Sequence, residues 1–286
     1  MYQKLNSCIV LIRPYQWVKN LLLFAPLFFS GNTAIKSLFL VCLATVCFSI
    51  VSSLGYILND WVDRERDLHH FQKKKRPFCT GAVNGFDAIC LSVFLLLLLS
   101  VISLMAGFSK NFWLIIVIYL ALTISYSLYL KHVVILEIFI ISMGFVIRVF
   151  AGGAACGINI SSWLFLTVFF LSVLISVAKR LAEFNLLGDK TAVLHRKSQK
   201  GYTRTYLQNL QWACGCISLV VYSLYVVEHR GIIIYSIIPA AYGVFRFIYL
   251  TDQGKGGDPI KTMVEDRQLV LTTLVFLLFL SVTIYY

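Results

Sequence analysis

The stretch Leu58-Asn59-Asp60-Trp61-Val62-Asp63-Arg64-Glu65-Arg66-Asp67 decides the reading of this chain. It closes an apolar run over 37–58, long enough at about 20 residues to cross a bilayer as a helix, with an Asn-Asp-x-x-Asp-x-x-x-Asp array. If the helix continues, Asp60, Asp63 and Asp67 follow an i, i+3, i+7 spacing and Asn59 lies one turn before Asp63, so the four share a face. Three carboxylates that close repel one another. A divalent cation relieves the repulsion, and hard oxygen ligands completed by water suit Mg²⁺ carrying a substrate diphosphate. A solvated acidic helix end has no need of aspartates aligned beneath a hydrophobic span.

Outward from this array the chain is apolar almost throughout. Of 286 residues 59% are apolar and 13% charged, against roughly 45–50% and about 25% in soluble domains, and the mean hydropathy is +0.82. Too few charges are present to cover a globule. Nine apolar stretches, near 17–35, 37–58, 88–107, 112–130, 133–151, 161–178, 209–227, 232–250 and 268–286, take up most of the length. The expected fold is therefore all-α: a polytopic membrane protein of about nine transmembrane helices around a cytoplasm-facing polar cavity, with 1–286 as a single transmembrane domain.

The net charge of +12 has a topological account. With nine spans, the N-terminal segment and the loops 59–87, 130–132, 179–208 and 251–267 fall on one side and hold 20 of the 25 Lys and Arg. The opposite side holds Lys36, Lys110 and Arg230, while Arg148 and Arg246 fall inside spans. Basic loops stay cytoplasmic, which places the N-terminus and the array on the cytoplasmic face of the plasma (inner) membrane and leaves no need for a nucleic-acid partner. Cys42, Cys47, Cys90, Cys156, Cys214 and Cys216 lie in or beside apolar runs and read as packing residues. The Cys214-x-Cys216 pair lacks the second pair of ligands a metal site requires.

Other polar groups gather around the array. Lys73-Lys74-Lys75-Arg76-Pro77 follows it in the same loop; the lysines suit topology and lipid contact, whereas Arg76, held by Pro77, suits a phosphate. Arg13-Pro14-Tyr15-Gln16-Trp17-Val18-Lys19-Asn20 opens the first span, with Tyr15 and Trp17 as interface aromatics. Tyr126-Ser127-Leu128-Tyr129-Leu130-Lys131-His132 ends the fourth, and Glu137 lies beyond it within the fifth, with Lys131 its nearest partner in sequence. Arg148, some three turns further, either snorkels outward or serves the site.

These motifs resemble the UbiA superfamily of intramembrane prenyltransferases. Arg13-Pro14-x-Gln16-Trp17-x-Lys19-Asn20, Arg76-Pro77-x-x-x-Gly81, Gly144-Phe145-x-x-Arg148-x-x-Ala151-Gly152-Gly153 and Lys179-Arg180-x-x-Glu183 resemble its decaprenyl-phosphate phosphoribosyltransferase branch. The wider superfamily carries a second aspartate-rich motif after the sixth span, where this sequence has Lys179, Arg180 and Glu183. The resemblance implies Mg²⁺-dependent transfer of 5-phosphoribose from phosphoribosyl diphosphate to a polyprenyl phosphate lipid. It implies Asp60 and Asp63 on the metal, Asn59 and Asp67 shaping its shell, Arg13, Lys19, Arg76, Lys131, Lys179 and Arg180 on phosphates, and Tyr126, Glu137 and Glu183 as further substrate contacts. Two alternatives stay open: transfer of an isoprenoid chain to an aromatic or quinone precursor, and a transporter. A homo-oligomer is compatible with the sequence.

Overall fold

The structure is a computed structural model that describes residues 2–68, 73–195, 201–229 and 231–285, with side chains described for 4–68, 73–185, 201–229 and 231–285. Arg230 lies outside them. The described elements are helical: α1 (Tyr2–Ile12), a 3-10 helix (Pro14–Phe24), α2 (Ala25–Phe29), α3 (Ile35–Asp67), α4 (Gly85–Ala106), α5 (Lys110–Leu128), α6 (Leu136–Cys156), α7 (Ser162–His195), α8 (Arg204–His229), α9 (Ile237–Asp252), α10 (Pro259–Glu265) and α11 (Arg267–Tyr285). Short 3-10 turns occupy Lys73–Lys75, Leu130–His132 and Ile232–Ser236.

Among the described residues eight helices are long and apolar enough to cross a membrane: α3 to α8, α9 together with the turn before it, and α11. The chain is a multi-pass membrane protein. Its first expected span, 17–35, differs from the expectation, because Pro14–Phe24 is a 3-10 helix and only Ala25–Phe29 is α-helical. Those 11 and 5 residues still reach roughly 30 Å at about 2.0 Å and about 1.5 Å per residue, the thickness of the hydrocarbon core. A second correction concerns 179–208, expected as a loop. There α7 runs on to His195, so Lys179, Arg180 and Glu183 are helical.

Helix ends follow local chemistry. Asn84 accepts from the Asp87 amide while the Asp87 side chain accepts from the Asn84 amide, a reciprocal cap that starts α4. Ser109 caps α5, and Asp258 caps α10 with Pro259 in its first turn.

The chain divides into two compact units, 1–131 with 147–159, and 132–146 with 160–286. In the first, Leu23, Val41, Ala44, Phe48, Phe112, Tyr119 and Ile147 form the core. In the second, Ile138, Val173, Leu174, Val177, Leu207, Cys214 and Ile248 do so. Within a bilayer such cores are held by close packing rather than by exclusion of water, so small residues matter at helix crossings. Gly215 of α8 is one: a Cβ there would stand 3.0 Å from the Ile248 side chain.

Candidate active site

In the first unit, the helical continuation of α3 to Asp67 stacks the array on one face, as its spacing predicts. Asp60 is 2% exposed. Its carboxylate accepts from the Arg13 guanidinium at 2.6 Å and lies 2.9 Å from that of Arg76. Asp63 accepts from Lys131 Nζ at 2.6 Å, with Arg66 at 4.0 Å. Asp67 accepts from Arg76, with Lys73 Nζ at 3.9 Å. Asn59 lies half-buried beside them. Three carboxylates and three close cations neutralise one another.

Each cation is placed by a local device. Arg13 has φ 53° and ψ 63°, and this left-handed break between α1 and the 3-10 helix turns its side chain back towards α3. Its guanidinium also lies 5.1 Å from the centre of the Tyr56 ring. Arg76 is presented by a folded loop: Arg76 and Cys79 donate backbone hydrogen bonds to Lys73 and Arg76, Gly81 adopts φ 72°, and Phe78 packs edge-on to Trp61 at 5.4 Å. Burial, followed by the Asp67 carboxylate, pushes the Cys79 thiol up, so it stays protonated beside the array. Lys131 is buried in the turn after α5. Its Nζ pairs with Asp63, and Glu137, which sequence proximity suggested for it, pairs with Arg180. Tyr126, on the last turns of α5, and Lys19, on the 3-10 helix, are half-buried in the same unit.

The second unit holds Glu137, Arg180 and Glu183. Glu137 is fully buried and Arg180 2% exposed; their charged groups stand 3.3 Å apart. Arg180 also donates to Glu183 at 2.5 Å. Thus Arg180 is an internal counter-ion, and Glu183 pairs with it rather than presenting a bare carboxylate. Lys179 is exposed on α7. The turn that delivers Glu137 is strained: Ile135, a β-branched residue, has φ 68°. Its amide donates to the Tyr202 hydroxyl at 2.6 Å, and burial pushes that phenol up to about 12, so it stays uncharged.

Both arginines placed inside spans lie there and have partners. Arg148 does not snorkel outward; it is 5% exposed, donating to Asn20 Oδ1 at 2.8 Å and the Tyr119 hydroxyl at 3.0 Å. Arg246 donates to Asp266 at 2.8 Å, and that hydrogen bond holds the Asp266 carboxyl below its usual range. Sequence reading missed Tyr119, Ser49 and Ser53 as polar partners, and it read Trp17 as an interface aromatic although its indole donates to Ser53 at 3.1 Å. The i, i+4 serines within an otherwise apolar span were the available signal.

The donor chemistry fits magnesium. Mg²⁺ takes one or two protein carboxylates and fills its octahedron with water and phosphate oxygens, so it needs no protein cage. Among the described residues no three acidic, histidine or thiol side chains converge as such a cage.

The UbiA prenyltransferase family model matches residues 21–284. The chain belongs to this family. Among curated UbiA relatives, decaprenyl-phosphate phosphoribosyltransferase of Mycobacterium tuberculosis H37Rv is 35% identical over 278 residues, covering 93% of this chain and 90% of that one. Its Corynebacterium glutamicum namesake is 31% identical, covering 98% and 87%. Among solved structures, a UbiA homolog from Archaeoglobus fulgidus bound to GPP and Mg²⁺ superposes with a TM-score of 0.71 at 16% identity, over 98% of this chain and 99% of that one. This likeness carries the UbiA fold.

Proposed function

We propose that this UbiA protein is a polyprenyl-phosphate phosphoribosyltransferase, working as one catalytic domain. The single observation that carries the reading is the neutralised array of Asp60, Asp63 and Asp67 with Arg13, Arg76 and Lys131. It offers hard oxygens to a metal and guanidinium forks to phosphate from one place. Near-full-length relatives named for this transfer support it.

Asp60 and Asp63 would hold Mg²⁺, with Asn59 and Asp67 shaping its surroundings. When bound, the ion neutralises charge on the departing diphosphate. Arg13 and Arg76 would hold phosphate oxygens by paired, charge-assisted hydrogen bonds. The lipid phosphate is already an anion and needs no general base. It needs placement opposite the leaving group, and a single displacement then inverts the anomeric carbon. Lys179 is the exposed cation in the second unit assigned to this lipid phosphate. Lys179→Ala is expected to weaken apparent affinity for the polyprenyl phosphate by about 10 to 150 fold, the worth of one charge-assisted hydrogen bond, with a smaller change for phosphoribosyl diphosphate. Equal small changes for both substrates would remove that role.

The deciding experiment incubates purified protein with phosphoribosyl diphosphate, polyprenyl phosphate and Mg²⁺ and weighs the lipid fraction by mass spectrometry. A phosphoribosylated lipid with matching diphosphate release is expected. Turnover of an isoprenoid diphosphate with an aromatic acceptor, and none of the sugar donor, would overturn the reading.

Orientation follows from the loop charges. The protein sits in the plasma membrane with the array cytoplasmic. In a background with the native cysteines replaced, Lys110→Cys is expected to react with an impermeant thiol reagent in intact cells and Lys74→Cys only after lysis. The opposite pattern would invert the topology.

A further inference from the structure

Residues Pro14–Phe24 form a 3-10 helix of 11 residues, where runs beyond three or four are uncommon. The neighbours of this segment account for its form. In a 3-10 helix, side chains three apart eclipse, so Trp17, Asn20 and Leu23 stand in one row with steps of about 6 Å. Four residues of α-helix also rise about 6 Å. On α3, Ser53 accepts from the Trp17 indole at 3.1 Å and Ser49 from the Asn20 amide at 2.9 Å. On the later half of α6, Arg148 Nε donates to Asn20 Oδ1 at 2.8 Å. Four residues on, the Leu23 carbonyl occupies the place that a Cβ on Gly152 would take.

Both pairs, Ser49 with Ser53 and Arg148 with Gly152, are thus spaced by four against three on the segment. An α-helix over 14–24 would rotate Leu23 about 120° away from Trp17, at about 100° per residue, and the row would break. Arg148 is itself fixed. Beyond Asn20 it bonds Tyr119, and its guanidinium lies 5.0 Å and 5.1 Å from the Phe48 and Tyr119 ring centres. At the near end of the same segment stands Arg13, bonded to Asp60 on the α3 face that carries Ser49 and Ser53.

We propose that Arg148 is a positioning residue: with Gly152 it clasps residues 14–24 in the 3-10 form and so sets the reach of Arg13 to Asp60. Its consequence for catalysis rests on the array being the metal-diphosphate site. Arg148 bonds Asn20 and Tyr119. It acts through Asn20 and the rigid segment between Asn20 and Arg13.

The test combines amide hydrogen exchange over 14–24 with titration of magnesium diphosphate into the purified full chain. Arg148→Met, Gly152→Ala and Asn20→Ala are compared with Gly243→Ala, whose Cβ meets its nearest neighbour at an ordinary 3.6 Å. Asn20→Ala leaves the buried guanidinium on Tyr119 and serves where Arg148→Met fails to fold. Exchange over 14–24 is expected to quicken while α4 and α5 stay protected, and magnesium diphosphate affinity to fall about tenfold, the loss of one charge-assisted contact. In turnover, KM for the diphosphate donor rises while KM for the lipid phosphate holds. Gly243→Ala should match the unaltered protein throughout.

Unchanged exchange in the folded variants would overturn the clasp. Quickened exchange with unchanged affinity would overturn the positioning role, because a merely structural defect lowers the folded fraction and not the affinity of what remains folded. Asp60→Asn is titrated alongside. If it binds magnesium diphosphate as the unaltered protein does, the site assignment falls and with it the catalytic half of the proposal, while the exchange data still judge the clasp.

Discussion

Asp60→Asn and Asp63→Asn are each expected to lower phosphoribosyl transfer on the order of a thousandfold, with folded protein recovered in both. The magnitude is the several kcal/mol of charge stabilisation that a metal supplies to a departing phosphate. The fold survives because the amide keeps the shape of the carboxylate and still accepts a hydrogen bond, from Arg13 at position 60 or Lys131 at position 63. Both cations are then left with a neutral partner, so a modest fall in melting temperature accompanies the loss. Initial rates over a Mg²⁺ series, normalised to monodisperse folded protein, check this. Near-normal rates at ordinary Mg²⁺ in either variant would remove the carboxylates from the metal. Lys74→Ala, on an exposed loop position, should leave the rate within about twofold, as surface substitutions usually do.

Arg180→Ala has a different expected signature, read in stability before activity. Removing one member of a buried ion pair costs about 3 to 5 kcal/mol, since the remaining charge is stranded, and Glu137 is fully buried beside Arg180. Glu183, the second carboxylate on the same guanidinium, loses its partner as well. The variant should melt well below the unaltered protein or fail to accumulate. Replacing both Arg180 and Glu137 by Met should recover much of the loss, because an apolar pair of similar volume leaves no fully buried charge behind, Glu183 being 31% exposed. A double-mutant cycle on thermal unfolding in one detergent measures the coupling. Additive effects would place Glu137 and Arg180 in separate environments.

These two signatures mark what the sequence made legible. The array could be read because an α-helical repeat imposes its geometry locally: once α3 runs through to Asp67, residues 60, 63 and 67 must share a face. Apolar run lengths located eight spans for the same reason, each being a property of a single segment. Pairings across segments were not legible. Lys131 is six residues from Glu137, yet it turns to Asp63, 68 positions away, because the turn at Leu130–His132 aims it at α3. Arg180 meets Glu137 only through tertiary packing. The 3-10 form of 14–24 was hidden too, since Leu21, Leu22 and Leu23 suit either helix and the choice lies in Ser49, Ser53 and Gly152 on other elements. The second unit's strained turn has no sequence signal, for nothing about Ile135 announces a positive φ.

The self-neutralised array of the first unit has a thermodynamic corollary. A metal ion arriving alone on Asp60 and Asp63 would compete with Arg13, Arg76 and Lys131 for those carboxylates; a diphosphate arriving alone would draw the same cations away and leave the carboxylates short of partners. The metal and diphosphate arriving together would exchange internal partnerships for external ones, the negative charge left on the complex being met by the same cations. If the array is the metal-diphosphate site, the two would be thermodynamically linked, each raising the affinity for the other by the same factor, and typical coupling free energies of about 1 to 3 kcal/mol correspond to roughly 5 to 150 fold. Calorimetric titration of Mg²⁺ with and without diphosphate, and of diphosphate with and without Mg²⁺, should close such a cycle. The protein would then behave as a coincidence detector, indifferent to cellular Mg²⁺ or phosphate alone and loaded only by the complex of the two.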